Sequence, residues 1–168
     1  EGAASITACI DCPAGKYQPW NGASACRTCD AGRFTPRSGS VECTECNTCG
    51  PGEQVREPCS TTSDIHCIPC RSGHYNAVNT VSMTACNTCE SGRFALTEGS
   101  TQCSACDAGK FQFYSGQALC VTCDTGRWSP SASSFCFECD IGSYAPEGSR
   151  ECTPCEAGRT QSETAQTS

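Results

Sequence analysis

The chain has 168 residues, of which 20 are cysteine, 16 glycine and 9 proline, and its formal net charge is −7. Apolar residues make up only 37% even with the cysteines counted, which excludes a large hydrophobic core, a long helix bundle and a doubly wound sheet. The acidic balance argues against nucleic-acid binding, and no apolar run approaches the roughly 18 residues that a membrane helix needs. Residues 1–7 show no secretory leader, yet a disulfide-dense chain must be exported, so we expect a mature piece or a segment of a longer protein.

Cysteine pairs of the form Cys-x2-Cys recur along the chain at a nearly constant interval. Their first members at positions 9, 26 and 43 are 17 residues apart, and the same period resumes at 86, 103 and 120 before it shortens to 16 at 136 and 152. Residues 43–70 interrupt the pattern with a different unit. A repeat this small cannot bury a core of its own, so each unit must stack on its neighbours.

Each repeat also carries a glycine and, two residues later, an aromatic ring at a constant distance behind the second cysteine of the pair. We expect the glycine to adopt a positive φ or to let the ring lie against the backbone. The seven rings in this position are predicted to form the core of the repeats: Tyr17, Phe34, Tyr75, Phe94, Phe111, Trp128 and Tyr144.

The cysteine ladder favours disulfides over zinc, because four-cysteine zinc sites come as isolated sets and this ladder is continuous. If every repeat bonds alike, the bond lies within a pair, runs from the second cysteine to the next pair, or leaps across both. Bonds within a pair close strained rings typical of redox sites, and leaping bonds would enclose one another, so we favour the middle scheme. It predicts Cys12–Cys26, Cys29–Cys43, Cys70–Cys86, Cys89–Cys103, Cys106–Cys120, Cys123–Cys136 and Cys139–Cys152.

The interrupting unit reads Cys46-Asn-Thr-Cys49-Gly-Pro-Gly-Glu-Gln-Val and then Cys59-Ser-Thr-Thr-Ser-Asp-Ile-His-Cys67. This stretch resembles the distal half of a tumour-necrosis-factor-receptor cysteine-rich domain, and residues 29–67 follow that six-cysteine pattern throughout. The resemblance implies the interlocked bonds Cys46–Cys59 and Cys49–Cys67. The other units resemble the ephrin-receptor-like cysteine-rich repeats that also occur in polydom-type matrix proteins. Cytokine receptors alternate short and interlocked modules, whereas this chain has one interlocked module and at least seven short ones. The ligand-contact residues of such receptors lie in variable loops, so none is carried over.

These patterns predict a small disulfide-rich fold, mostly coil with short antiparallel β-hairpins, arranged as an elongated rod of tandem repeats without a central hydrophobic core. The predicted divisions are the end of a preceding repeat at 1–11, repeats at 12–28, 70–88, 89–105, 106–122, 123–138 and 139–154, the tumour-necrosis-factor-receptor-like unit at 29–69, and the truncated start of a next repeat at 155–168.

Two cysteines, Cys9 and Cys155, have no partner within the favoured scheme. Either the chain is a stretch of a longer array, or Cys155 of one copy bonds Cys9 of the next in a covalent head-to-tail filament. Four rings outside the repeat position, Phe113, Tyr114, Phe135 and Phe137, form either thicker packing between two repeats or a contact patch for a partner. Trp20 is a weaker candidate for such a contact.

Charged residues follow the repeat rather than forming a catalytic pair. Acids come directly after the second cysteine, and bases come three residues later, as in Asp30 with Arg33 and Asp124 with Arg127, so we expect a row of local ion pairs along one edge. Calcium binding along this row is a minor alternative. His66 and His74 are the only histidines, and every cysteine belongs to a bond or to a cut end. We therefore predict no enzymatic activity, no catalytic residue, no metal and no cofactor.

The expected function is that of an extracellular or cell-surface structural segment, a stiff rod whose partners are proteins, above all copies of itself or neighbouring repeats of a longer chain. Binding to nucleic acid and insertion of this segment into a membrane are not expected. The alternative is a ligand-binding receptor or adhesion ectodomain. Asn-x-Ser/Thr glycosylation is not expected, while the serine- and threonine-rich loops permit O-linked sugar.

Overall fold

The structure, a computed structural model, describes residues 9–77, 85–160 and 162. Across these residues it contains no helix, and sixteen short strands form eight separate two-stranded hairpins, so the predicted fold class is confirmed. The strands are β1 (Lys16–Tyr17), β2 (Arg27–Thr28), β3 (Arg33–Phe34), β4 (Thr44–Glu45), β5 (Glu53–Glu57), β6 (His66–Pro69), β7 (His74–Tyr75), β8 (Asn87–Thr88), β9 (Arg93–Phe94), β10 (Ser104–Ala105), β11 (Lys110–Phe111), β12 (Val121–Thr122), β13 (Arg127–Trp128), β14 (Phe137–Glu138), β15 (Ser143–Tyr144) and β16 (Thr153–Pro154).

Seven of the eight hairpins join the dipeptide that contains the ring to the dipeptide that follows the next cysteine, and the longer β5–β6 hairpin of the interrupting unit is the exception. In the 89–105 repeat, β9 pairs antiparallel with β10, with Phe94 opposite Ser104. A tight turn precedes β9, because the Arg93 amide donates to the Glu90 carbonyl at 3.1 Å. Strands of two residues are too short to persist alone. The disulfide closes the loop around them and contributes about 3 kcal/mol for a loop of this length.

Nine disulfides run in tandem through the described residues. Seven of them span 13 to 16 residues and link the second cysteine of one pair to the first of the next, and two lie in the interrupting unit. The bonds are Cys12–Cys26, Cys29–Cys43, Cys46–Cys59, Cys49–Cys67, Cys70–Cys86, Cys89–Cys103, Cys106–Cys120, Cys123–Cys136 and Cys139–Cys152. Cys9 and Cys155 are free thiols.

In most repeats the interior consists of sulfur and of the residue that directly follows the ring. The seven rings are only half-buried, which differs from the expectation that they form the core. Neighbouring residues of a strand point to opposite faces, so a ring on the outer face leaves the next residue on the inner face. The buried residues in that position are Thr35, Asn76, Ala95, Gln112, Ser129 and Ala145, and the most deeply buried cysteines are Cys49, Cys70, Cys89, Cys106, Cys123 and Cys139.

The chain divides into two compact units. The first comprises Glu1–Cys49 and Val55–Cys67, and the second comprises Gly50–Gln54 and Ile68–Ser168. Consecutive repeats are joined in the same way inside each unit. The predicted end segments 1–11 and 155–168 fall partly outside the described residues, as does the middle of the 70–88 repeat, and the proposed repeat boundaries stay predictions.

Candidate interaction surface

Backbone hydrogen bonds join each repeat to the next. In the second unit, the Gly92 amide donates to the Gln112 carbonyl of the following repeat at 2.7 Å, and the Gly116 amide of that repeat donates back to the Cys89 carbonyl at 2.7 Å. A third hydrogen bond joins the amide of the residue after the ring to a carbonyl in the turn of the next repeat, as from Gln112 to Ser133. The hydrogen bond equivalent to that from the Gly92 amide to the Gln112 carbonyl recurs in the first unit from Gly15 to Thr35. In the second unit it recurs from Gly52 to Asn76, Gly73 to Ala95, Gly109 to Ser129 and Gly126 to Ala145.

In the repeats that contain Gly73, Gly92 and Gly109, the glycine before the ring also lies against the repeat after the next one. Gly92 has a φ of +78° and Gly109 a φ of +84°, in the left-handed region that favours glycine. A Cβ at Gly92 would collide with the carbonyl oxygen of Ala132, and a Cβ at Gly109 would collide with that of Gly148. Both carbonyls belong to turns two repeats further along the chain. The glycine is therefore required by close packing over three consecutive repeats as well as by its own turn.

Side chains directly after the ring strengthen some of these junctions. The Ser129 hydroxyl donates to the Lys110 carbonyl of the preceding repeat at 3.0 Å, and the Asn76 amide donates to the Glu53 carbonyl at 2.7 Å. The importance of this position was not predicted from the sequence. The signal was present, because residues there are small or uncharged in every repeat with a ring, while the residue before the ring is usually charged.

Among the described residues, Arg33 and Arg127 form ion pairs across their hairpins and not with the acid three residues before them, so the expected pairing of Asp30 with Arg33 is wrong. The Arg33 guanidinium contacts the Glu45 carboxylate at 2.5 Å, and Arg127 contacts Glu138 at 2.6 Å. In both cases the partners are directly opposite in the hairpin register. The turn holds the backbones of Asp30 and Arg33 together through a 3.0 Å amide-to-carbonyl bond, while the side chain of Arg33 extends along the strand to β4.

Two neighbouring repeats expose an unusually apolar face. Phe113, Phe135 and Phe137 are 61%, 49% and 39% exposed, and Tyr114 is 66% exposed. Phe137 is central to one ring cluster, with its centroid 4.6 Å from that of Phe135 and 5.2 Å from that of Trp128. The centroids of Phe113 and Tyr114 lie 5.0 Å apart in an edge-to-face arrangement. This exposure favours the contact-patch interpretation over thicker packing between repeats.

Buried polar side chains hold the loops that carry these rings. Gln112 donates to the Leu119 carbonyl at 2.5 Å and accepts from the Tyr114 amide at 3.1 Å, so it connects both ends of one loop. The Ser133 hydroxyl donates to the Phe135 carbonyl at 2.6 Å. Gln112 and Ser133 are both at least nine-tenths buried. A surface whose backbone is already held in place loses less conformational entropy when a partner binds.

The first unit contains one smaller version of this arrangement. Gln18 donates to the Ala25 carbonyl and accepts from the Trp20 amide, as Gln112 does in the later repeat. Trp20 is 63% exposed, and the Arg27 guanidinium lies 5.2 Å from its ring centroid. The cation occupies a face of the indole, so Trp20 already has an intramolecular partner and offers a smaller apolar surface.

An acidic side chain stabilises the interrupting unit through hydrogen bonds, in addition to its disulfides. The Asp64 carboxylate accepts a 2.8 Å bond from the Asn47 amide and a 2.7 Å bond from the Ile65 amide, and it also contacts the side chain of Asn47. These donors, above all the Asn47 amide, hold the pKa of Asp64 below its ordinary value. The carboxylate thereby connects the start of this unit to its last loop.

The two free cysteines and the histidines form no composite site. Cys9 is exposed and Cys155 half-buried. His74 lies beside Arg71 and the Ser72 carbonyl. No group of three or more potential metal-ligating side chains comes together among the described residues. Within residues 9–77, 85–160 and 162 there is also no helix of the length and apolar character that a bilayer crossing requires.

Comparison with protein families agrees with the two resemblances noted from the cysteine pattern. Residues 2–46 match the family model described as tyrosine-protein kinase ephrin type A/B receptor-like, and residues 29–67 match the model of the TNFR/NGFR cysteine-rich region. No curated protein sequence matches the chain. The matches confirm ephrin-receptor-like and tumour-necrosis-factor-receptor-like cysteine-rich units in residues 2–67. Both models describe non-enzymatic, receptor-type modules.

Proposed function

We propose that this chain is an extracellular structural segment, part of a filament or of a surface or matrix protein, which associates with copies of itself or with further repeats of a longer chain. The observation that carries the proposal is the junction between repeats. Its bonds are the same from one repeat to the next and use backbone atoms, so an additional repeat needs no new interface.

The construction suits a load-bearing or spacing role. Within a repeat the covalent path is shortened by a disulfide, and between repeats the chain is held by amide-to-carbonyl bonds of 2.7–3.3 Å. If one junction opens, the repeats on either side keep their own disulfides and their own turns. The damage therefore stays local, which favours resistance to proteolysis and to mechanical stress.

The nine disulfides and the two receptor-type matches indicate an extracellular or cell-surface location. They also support a role in protein–protein interaction. A receptor or adhesion ectodomain is the second candidate, and the exposed rings of the 106–138 region favour it, since such rings anchor protein partners. The absence of enzymatic activity stays a prediction.

Electron microscopy of the native protein, together with non-reducing gels, tests the proposal. We expect fibres or linear oligomers whose length grows with protein concentration. The double variant Cys9→Ser, Cys155→Ser is the matched control, because it removes the two free thiols and leaves all nine disulfides. Linear oligomers that disappear in this variant are joined covalently, and those that persist are joined by stacking. Dispersed monomers of both proteins at every concentration would contradict the structural role and favour the receptor.

A further inference from the structure

The positions on either side of the second cysteine of each disulfide distinguish two repeats from all the others. In the 106–122 repeat these positions hold Leu119 and Val121, and in the 123–138 repeat they hold Phe135 and Phe137. The other five disulfides that link one cysteine pair to the next have charged, polar or alanine residues there: Ala25 and Arg27, Glu42 and Thr44, Ala85 and Asn87, Gln102 and Ser104, and Glu151 and Thr153. The apolar pairs therefore occur in consecutive repeats and nowhere else among them.

We propose that this face is a two-fold interface between two copies of the chain. The patch consists of Phe113, Tyr114, Leu119, Val121, Phe135 and Phe137, and we call it the lateral patch. All six side chains are between 39% and 66% exposed. The proposal extends the self-association suggested above, but it concerns the side of the array and not its ends.

The two repeats lie next to each other on this face. Phe111 forms a parallel bridge with Ser133, and the Gln112 amide donates to the Ser133 carbonyl at 3.1 Å. Ser133 in turn bonds to the backbone of Phe135. The loop that carries the ring pair of one repeat is thus attached to the strand of the repeat before it, so the two groups of apolar side chains belong to directly joined repeats.

The size of the lateral patch matches what a pair of copies needs. With roughly 200 Å² for a fully exposed ring, the four rings leave roughly 400 Å² open to solvent. Leu119 and Val121 enlarge the patch to about 600 Å², the upper end of the largest apolar patch on a typical monomer. Two such patches together bury about 1,200 Å², the lower limit for a specific protein–protein interface.

The chemistry of the lateral patch is self-complementary. A two-fold axis between the two repeats places the aliphatic pair Leu119 and Val121 of one copy against the aromatic pair Phe135 and Phe137 of the other. The charged pair Arg127–Glu138 lies one residue away on the hairpin, and successive strand residues point to opposite faces, so these charges stay outside the contact. An uncharged contact allows two copies of charge −7 to meet.

Sedimentation velocity across a wide range of protein concentration tests this inference. We expect a monomer–dimer equilibrium that tightens as salt rises, because salt screens the repulsion between two acidic copies. The double variant Phe135→Gln, Phe137→Ser takes its new residues from the equivalent positions of the 89–105 repeat and should weaken dimerisation about tenfold or more. The control is Leu96→Ser, which replaces an apolar side chain of similar exposure outside the lateral patch and should leave the equilibrium unchanged.

Three results would overturn the lateral interface: a wild-type protein that stays monomeric, a double variant that dimerises as well as the wild type, or a control that dissociates equally. Mass spectrometry of intact disulfides shows whether each variant is folded. Linear oligomers that form equally in the wild type and in the Phe135→Gln, Phe137→Ser variant would overturn the lateral interface and leave the structural role standing. A dimer that only this variant loses, without linear oligomers, would overturn head-to-tail association and leave the lateral interface standing.

Discussion

The contact of Gly92 with the second repeat after its own predicts how much stability the variant Gly92→Ala loses. A non-glycine residue in the left-handed region costs about 1–2 kcal/mol. The added Cβ would also collide with the Ala132 carbonyl, and relieving such overpacking by moving the backbone costs about 1–3 kcal/mol. The local opening free energy should therefore fall by about 2–5 kcal/mol.

Gly142→Ala separates the two costs. Gly142 has the same kind of φ, +84°, and lies in the same compact unit, but no atom lies within 4 Å of the position that its Cβ would occupy. This variant should lose only about 1–2 kcal/mol. Native-state hydrogen exchange at the amides that bond to each glycine gives the opening free energies directly. Equal losses in the two variants would refute the three-repeat packing and leave turn geometry as the reason for the glycine.

Three further predictions follow from the interior, the interrupting unit and the thiols. Ala95→Leu should cost about 1–3 kcal/mol in chemical denaturation because the position is buried, whereas the exposed neighbour Leu96→Ser should change stability by less than about 0.5 kcal/mol. The Asn47 amide lowers the pKa of Asp64 in the folded protein, so the stabilisation by this carboxylate is present above its unfolded pKa and is lost as pH falls through its folded pKa. Asp64→Asn should remove this loss of stability in acid. A variant whose stability depends on pH in the same way as the wild type would contradict the prediction. Alkylation of the folded monomer without reductant should label two cysteines, and mass spectrometry finding more would contradict the nine disulfides.

Much of the fold could be predicted from the spacing of a few residue types. Cysteines at a fixed period determine which parts of the chain can meet, because a disulfide requires its two Cα atoms within about 7 Å. Glycine and ring at a constant offset predict one turn and one hairpin per repeat, such as the turn that ends at Arg93. The bonds of the interrupting unit depended on a family resemblance, since the repeat period does not extend through Cys46–Cys67.

Other features could not be read from spacing, since they depend on which residues approach from neighbouring repeats. The rings were expected in the interior and are half-buried, because the residue after each ring faces the next repeat. Asp30 and Arg33 are close in sequence, yet Arg33 reaches across the hairpin to Glu45. The exposed rings around Phe137 were recognised as a cluster, but only the structure distinguishes a surface from packing between repeats.

The linear sequence alone determined that this protein is a tandem array of small, disulfide-closed hairpin units, because covalent bonds and glycine turns act over short stretches of chain. The tertiary structure decided what lies between the units. The contact of Gly92 with a turn two repeats away, the buried position after most of the rings and the apolar face near Phe135 all arise from stacking. Stacking brings together residues that no local pattern connects, so its consequences appear only when the repeats are assembled.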